Sequence, residues 1–481
     1  MSISSAMNNA VLGLRAAGRG AEVISSNLSN ALTPGYGRRV LDLSSASLGG
    51  VRVDGITRAV NAGLASDRRM ADSANSNASL TSDFFARVEG LLGTPDDPSS
   101  ISARLSGFES ALITAASRPD APDRLANAVR QAEDLATGLR AASTGVQDAR
   151  TQADQTIASQ VSELNSALKQ VQDLNVAITS AGAQRRDIST LQDQRQQAVD
   201  RIGALVPVRE LQRDGGQIAL YSTGGAALID GRAATIGFES ANQVTPYLSQ
   251  GAGTLSGLTI NDQPVRTDSA RGALRGGALG AQFAIRDEYA VATQTEIDAL
   301  ARDLVERFQD PTVDTSLAVG DAGLFTDEGL AFDPLNEVGL AERLQVNAAV
   351  DPNAGGETWR LRDGMNAVAE GPVGDASLLN ALSGALTNTR ASGSGSFAGQ
   401  FRSASGLISA TISDIGAQRN ASDQQLSYAS ARLNELTQQQ LAEGVDSDSE
   451  IQRLMQVEQA YAANARMIQV LDDMMQLITR L

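Results

Sequence analysis

The residues that could do chemistry are few, and they are acidic. The 481-residue chain contains neither cysteine nor histidine. That removes thiol nucleophiles, disulfides, thiolate or imidazole metal sites and histidine acid–base catalysis together. Carboxylates remain. Asp96 and Asp97 are adjacent, but Pro95 and Pro98 flank them and Ser99 and Ser100 follow, the pattern of a turn that caps a helix. Asp310, Asp314 and Asp321 could be drawn into a calcium loop, yet their spacing departs from D-x-D-x-D-G. Gly215-Gly216 and Gly224-Gly225 belong to no G-x-x-x-x-G-K-[ST] or G-x-G-x-x-G run, so hairpin turns are expected there rather than a phosphate loop. The expectation is no metal, no cofactor and no catalysis. The rival of a different class is a surface domain in residues 207–385 that binds a ligand or hydrolyses something.

Charge narrows the partners. With 39 basic and 56 acidic residues the net charge is −17, the wrong sign for a phosphate backbone, so nucleic acid is not expected. No window has the roughly 18 apolar residues of a membrane-spanning helix, and Asn8, Asn9 and Arg15 interrupt what would be a signal peptide's apolar stretch. A cytoplasmic protein follows, unless export uses a route that reads no such signal. Aromatic content is only 4% against 42% hydrophobic. The apolar surface therefore comes from Ala, Leu, Val and Ile, which suits long slender helices, and the length suggests about three domains.

The elements that would position any site begin at the ends. Ile3, Ala10, Ala17 and Ile24 recur in sevens, with Met7, Leu14, Ala21 and Leu28 four residues after each, the seam of a coiled-coil helix. It stops at Asn30–Gly37, where Pro34, Gly35 and Gly37 forbid continuation before Tyr36 and beyond it. At the other end Ser447 reads as an N-cap with Glu450 at the third helical position, a capping box. Leu454, Tyr461, Ile468 and Met475 then take one heptad position, and Val457, Asn464, Leu471 and Ile478 the other. Residues 1–39 carry four arginines and one acid, net +3; residues 441–481 carry three arginines and seven acids, net −4. Shared repeat and opposite charge predict that the two ends pair, with Asn464 fixing the register.

Between the ends, no proline occurs from Pro122 to Pro207. Three-and-four spacing there predicts a helix of ~50 residues, about 75 Å long. Its doubled four-residue step through Ala153, Ile157 and Val161 is a stutter that would unwind a coiled coil locally. A second helix is expected over 187–205. Short apolar runs with Asp230-Gly231 and Asn261-Asp262 turns predict a small β domain over 207–280. Residues 282–308 return to helix, 310–385 are irregular, and Ala391–Ser396 reads as a flexible linker or hairpin tip. The expected fold is mainly α with inserted β regions, with discontinuous helical or coiled-coil domains built from both termini and one or two small mainly-β outer domains. The expected units are 1–60 with 425–481 as the terminal helical pair; 61–206 with 281–309 and 386–424 as a long-helix bundle; 207–280 as the β domain; and 310–385 as an outer region.

Ser26-Asn27-Leu28-Ser29-Asn30-Ala31-Leu32-Thr33-Pro34-Gly35-Tyr36 resembles the N-terminal signature of bacterial flagellar axial proteins, S-N-N-I-A-N-x-N-T-P-G-Y. Gln459-Ala460-Tyr461-Ala462-Ala463-Asn464-Ala465, followed by Ile468 and Asp472, is similar to their C-terminal signature. Leu28 and Leu32 depart from the usual Ile and Asn. The Pro-free helix and Leu191-Gln192-Asp193-Gln194-Arg195 resemble the hook–filament junction subunits, the first hook-associated proteins; a hook or distal-rod subunit is the alternative, against which the long helix weighs. The resemblance implies a structural subunit secreted unfolded by type III export, its ends folding on assembly to line a tube outside the cell. It implies as partners further copies of itself, the hook protein, a second hook-associated protein, and an export chaperone at the C-terminal end. The implied assembly residues are those of the two seams with Pro34, Gly35 and Tyr36.

Overall fold

A computed structural model of the chain describes residues 3–33, 35–47, 49–94 and 96–480, apart from the side chain of residue 480. The fold is mainly α, with small antiparallel sheets inserted between long helices. Helix α1 (Ile3–Ser29) leads through a turn into the hairpin β1 (Arg38–Ser45) and β2 (Val51–Ala59), bulged at Asp42/Leu43. Helix α2 (Ala62–Leu92) starts where Asn61 Oδ1 accepts the Leu64 N–H at 3.1 Å. Helix α3 (Ile101–Ser117) is capped by Ser100, and Asp97 turns its carboxylate back onto the Ser99 N–H at 2.8 Å. Pro95 of the same turn lies outside the described residues. Helix α4 (Pro122–Ala183) runs 62 residues, about 93 Å at 1.5 Å per residue. It opens on a proline where the missing N–H removes no bond. Helix α5 (Ser189–Leu205) folds back along it.

The 207–280 stretch forms two sheets. Strands β3 (Val208–Gln212), β4 (Ile218–Ser222), β5 (Ala227–Asp230) and β6 (Arg232–Ala233) pair in sequence order, as do β7 (Ile236–Gly237), β8 (Leu258–Ile260) and β9 (Gln263–Val265). Helix α6 (Gly277–Ala284) passes through one π turn, Ile285–Tyr289, into α7 (Ala290–Phe308). The outer region holds β10 (Phe325–Asp327), α8 (Leu340–Arg343), β11 (Leu344–Val346), α9 (Arg360–Asp363) and α10 (Ser377–Thr387). The Ser/Gly tract is the tip of the hairpin β12 (Arg390–Ala391) and β13 (Phe401–Arg402), held where Glu296 accepts the Ser396 N–H and hydroxyl. Helices α11 (Ala404–Ala442) and α12 (Ser447–Arg480) finish the chain.

Two apolar cores share α4. Its residues Leu125 to Ala153 pack with α2, α3, α7, α10 and α11; Ile157 to Val171 pack with α5, α6 and the sheets. The four-residue steps at Ala153, Ile157 and Val161 therefore fall where the helix changes partners rather than where it unwinds, since α4 is continuous there. At that crossover Asp154 and Arg286, both fully buried, pair at 2.7 Å, and Arg286 sits on the π turn between Phe238 and Phe283. The extra residue of a π turn swings this guanidinium inward toward Asp154.

One sequence expectation is corrected. Helix α11 continues through residue 425, where a unit boundary was expected, because one stripe (Ile408, Ile415, Ser422, Ala429, Leu436), apolar but for Ser422, is buried along its length in steps of seven, packed on α2. Asp310, Asp314 and Asp321 are each taken up by nearby backbone in the outer region. Each carboxylate accepts backbone N–H bonds, from Thr312, from Ser316 and Met365, and from Ala318.

Candidate functional site

The ends of the chain meet. A Cβ built on Gly13 would lie 2.6 Å from Asn464 Oδ1, one on Gly20 would lie 3.4 Å from a Val457 methyl, and Asn27 Nδ2 donates to Glu450 Oε2 at 3.1 Å. Seven residues forward on α1 answer seven residues back on α12, so the helices run antiparallel in one unbroken register. The buried residues of α1 are Ala10, Ala17 and Ile24 of the expected seam together with Ala16, Gly20, Val23 and Asn27. One half of the expected seam is thus replaced. Gly13, Gly20 and Asn27 face α12 in place of Leu14, Ala21 and Leu28, and Leu28 is 39% exposed. Small residues win this face because they let the two backbones approach; a leucine there would hold them apart.

The remaining expected seam residues divide along the rod. Leu471 is buried, whereas Ile3, Met7, Leu14, Leu454, Val457, Asn464 and Ile468 are half-buried. Tyr461, Met475 and Ile478 are exposed. In this register Ile478 lies beyond Ile3, the first described residue of α1. Met467, Val470, Met474 and Leu477 on another face of α12 are also exposed, beside the exposed Asp472 and Asp473.

Asn27 is the hub where α1 ends. Its Oδ1 accepts the Tyr36 hydroxyl and the Arg39 N–H, both at 2.9 Å, while its Nδ2 donates to the Arg39 carbonyl and to Glu450. All four hydrogen-bonding positions of the amide are filled, as burial at 1% exposure requires. Glu450 in turn accepts from Arg38 at 2.9 Å and Arg453 at 3.2 Å. Its role differs from the expected capping box. Asp446 caps α12, accepting the Asp448 and Ser449 N–H groups, which leaves the Glu450 carboxylate to cross to α1.

The signature turn binds the rod to the helical body. Gly35 holds φ +78, a conformation open to glycine, and its neighbour Pro34 lies outside the described residues. Tyr36 lies under the Arg39 guanidinium, 5.1 Å from ring centroid to Cζ. Asp193 on α5 accepts the Gly37 N–H at 2.9 Å and Arg58 Nε at 2.6 Å, with Arg39 at 3.6 Å. Two residues on, Arg195 donates to Asn175 Oδ1 and the Gly216 carbonyl, and burial pushes its pKa down. The two charged residues of Leu191–Arg195 therefore tie α5 in opposite directions, Asp193 to the terminal rod and Arg195 to α4 and the β sheets. Of these groups, Gly13, Gly20, Asn27, Arg38, Arg58 and Asp193 escaped a reading based on apolar spacing. The signals were present in the seven-residue step between glycines and in the signature motifs themselves.

Comparison with known proteins sets this geometry in context. The model of the flagellar hook-associated protein FlgK helical domain matches residues 70–312, from α2 to just beyond α7 and just over half of the chain. The chain belongs to the FlgK helical-domain family. A second model, the flagellar basal body rod FlgEFG protein C-terminal, matches residues 440–481, from the last residues of α11 through the turn and α12. Flagellar hook-associated protein 1 of Salmonella typhimurium is 26% identical over 321 residues, 64% of this chain and 56% of that protein. The chain thus spans little more than half the length of that relative in the match. The Bacillus subtilis protein of the same name is 21% identical over 94% of this chain and 92% of its own length. The solved hook junction protein FlgK from Burkholderia pseudomallei superposes with a TM-score of 0.44 at 22% identity, over 54% of this chain and 46% of that one, too distant a likeness to carry an argument. Within the FlgK-type body, the matched segment contains both charged anchors of α5 and the Asp154–Arg286 crossover. No helix among the described residues is long and apolar enough to cross a membrane.

Proposed function

We propose that this chain is a structural, non-catalytic subunit of the bacterial flagellum, built into the junction between hook and filament by pairing of its two ends. The observation that carries this reading is the α1–α12 register. Residues as far apart in sequence as Asn27 and Glu450 are locked together through buried polar groups, while the outer faces of α12 stay apolar and exposed. A seam of glycine and alanine buries little apolar area. Ordering α1 and α12, 27 and 34 residues, costs on the order of 1–2 kcal/mol per residue in backbone entropy, so neighbouring subunits must supply the rest. Membership of the FlgK family supplies the flagellar setting.

In this reading the rod of α1, α12 and the β1–β2 hairpin lies in the wall of a tube, with the helical body and β sheets outward. Copies of the chain contact each other, the hook protein on one side and a second hook-associated protein on the other. An export chaperone holds the C-terminal segment beforehand. The subunit leaves the cell unfolded through the type III apparatus and folds its ends on assembly, outside the cell. Deleting residues 2–30 tests this: it should abolish incorporation while the body, α2 to α11, keeps its protease resistance. Incorporation of the truncated chain would overturn the reading.

A further inference from the structure

A groove opens along α1. It holds about 550 Å³ between α1 and the β1–β2 hairpin, with Leu12, Val51 and Val53 as its apolar floor and Arg15, Arg19 and Arg52 around it. Arg19 and Arg52 share exposed pairs with Glu22 and Asp54, which hold weakly in water. Arg15 has no carboxylate partner among the described residues. The matching surface is on α12. Along one side, Tyr461 and Met475 are exposed and Ile468 half-exposed, with Asp472 among them and Asp473 adjacent. Neither aspartate makes an ion pair among the described residues; Asp472 accepts only the Gln476 amide.

We infer that the arginine-rimmed groove of one copy receives this acidic, uncovered face of α12 from a second copy, which deepens the assembly reading above and rests on it. Within one molecule Arg15 and Asp472 cannot pair. In the α1–α12 register Arg15 lies level with residue 462, ten residues from Asp472, roughly 15 Å along the rod. Two identical grooves cannot face each other either, since that would crowd six guanidiniums together. The unpaired Arg15 on one patch and the unpaired Asp472 and Asp473 on the other select a heterologous, head-to-tail contact, the kind that propagates around rings and helical tubes instead of closing a dimer. Apolar contact of Met475 and Tyr461 with Leu12 and Val53 supplies the driving force, and Arg15 with Asp472 or Asp473 sets the partner and the offset.

The absence of cysteine makes a disulfide test clean. Two differently tagged full-length copies, one Leu12→Cys and the other Met475→Cys, are expressed together in the source cells in place of the native chain, and the sheared axial structures are oxidised. The expected result is a mixed dimer carrying both tags. Adding Arg15→Glu should lower its yield at least tenfold, and Asp472→Arg with Asp473→Arg in the other copy should restore it. Both tags present without the mixed bridge, or with bridges only between Met475→Cys copies, would overturn the inference and leave the assembly reading standing. Both tags absent while the unsubstituted chain is also absent would overturn the reading and the inference together.

Discussion

Gly13 and Asn464 face each other across the terminal helices with no room for another carbon: a Cβ at residue 13 would sit 2.6 Å from the Asn464 oxygen and 2.8 Å from its nitrogen. Asn464 Nδ2 is itself held by the Ala460 carbonyl at 2.8 Å. This contact fixes how closely the rod packs. Gly13→Leu should force the helices apart and abolish incorporation into the flagellum. Gly18, on the same helix, has nothing within 4 Å of a built Cβ, so Gly18→Ala should assemble normally and gain up to about 1 kcal/mol of helix stability. Counting incorporated subunits in sheared structures compares the two. Equal incorporation would remove Gly13 as a packing determinant.

Glu450 joins Asn27 and Arg38 of the N-terminal segment to Arg453 of its own helix. Glu450→Ala leaves the Asn27 amide without one acceptor and Arg38 without its anion, a loss of about 3 kcal/mol for a buried pair. Glu450→Gln keeps an acceptor and should recover part of it. Protease cutting of α12 in assembled subunits should rise in the order wild type, Gln, Ala. Identical cutting rates would show that the node holds nothing.

Asp193 is the anchor between rod and body. Asp193→Ala leaves Arg58, whose side chain is 13% exposed, and Arg39 without their anion and the Gly37 N–H without its acceptor. The expected outcome is a rod that still pairs but swings, seen as faster cleavage within residues 30–37 and 59–62. Asp200, on the same helix α5 but paired with Arg68 of α2, is the control position and should change the pattern little.

Asp298 sets a pH dependence. Burial among α7, α8 and the Gln294 amide outweighs the N–H bonds it accepts from Gly339 and Ala341, and raises its pKa to about 6. The folded value exceeds the unfolded one, so the native state holds the proton more tightly. Its contribution is full below about pH 4 and is lost as pH rises to about 6, at most ~3 kcal/mol for a carboxyl raised this far. Urea unfolding of wild type and Asp298→Asn at pH 4.5 and pH 7 should show the wild type losing stability relative to the variant on going up in pH. A constant difference would contradict the assignment.

The periodic elements were legible because their cause is local. The apolar spacing of 122–183 makes a helix whatever it packs on, and the loss of that spacing after Pro207 marks the sheets. The pairing of the ends was legible from their shared seven-residue repeat and opposite charge. Its facing was not. An amphipathic stripe is wide enough to turn by one position, and the choice of Gly13, Gly20 and Asn27 over Leu14, Ala21 and Leu28 depends on how close a second backbone comes. The same holds for Glu450: local sequence makes it a capping residue, whereas Asp446 already fills that role and Asn27, 423 residues away in sequence, claims the carboxylate. Buried polar groups such as Asp193, Asp154 and Asp298 find partners on other elements, and only the folded chain decides which. Sequence by itself determined the helices, the sheets and the meeting of the ends; tertiary structure decided register, the polar locks and the surfaces left uncovered, because those depend on what backbone approach permits and what burial must satisfy.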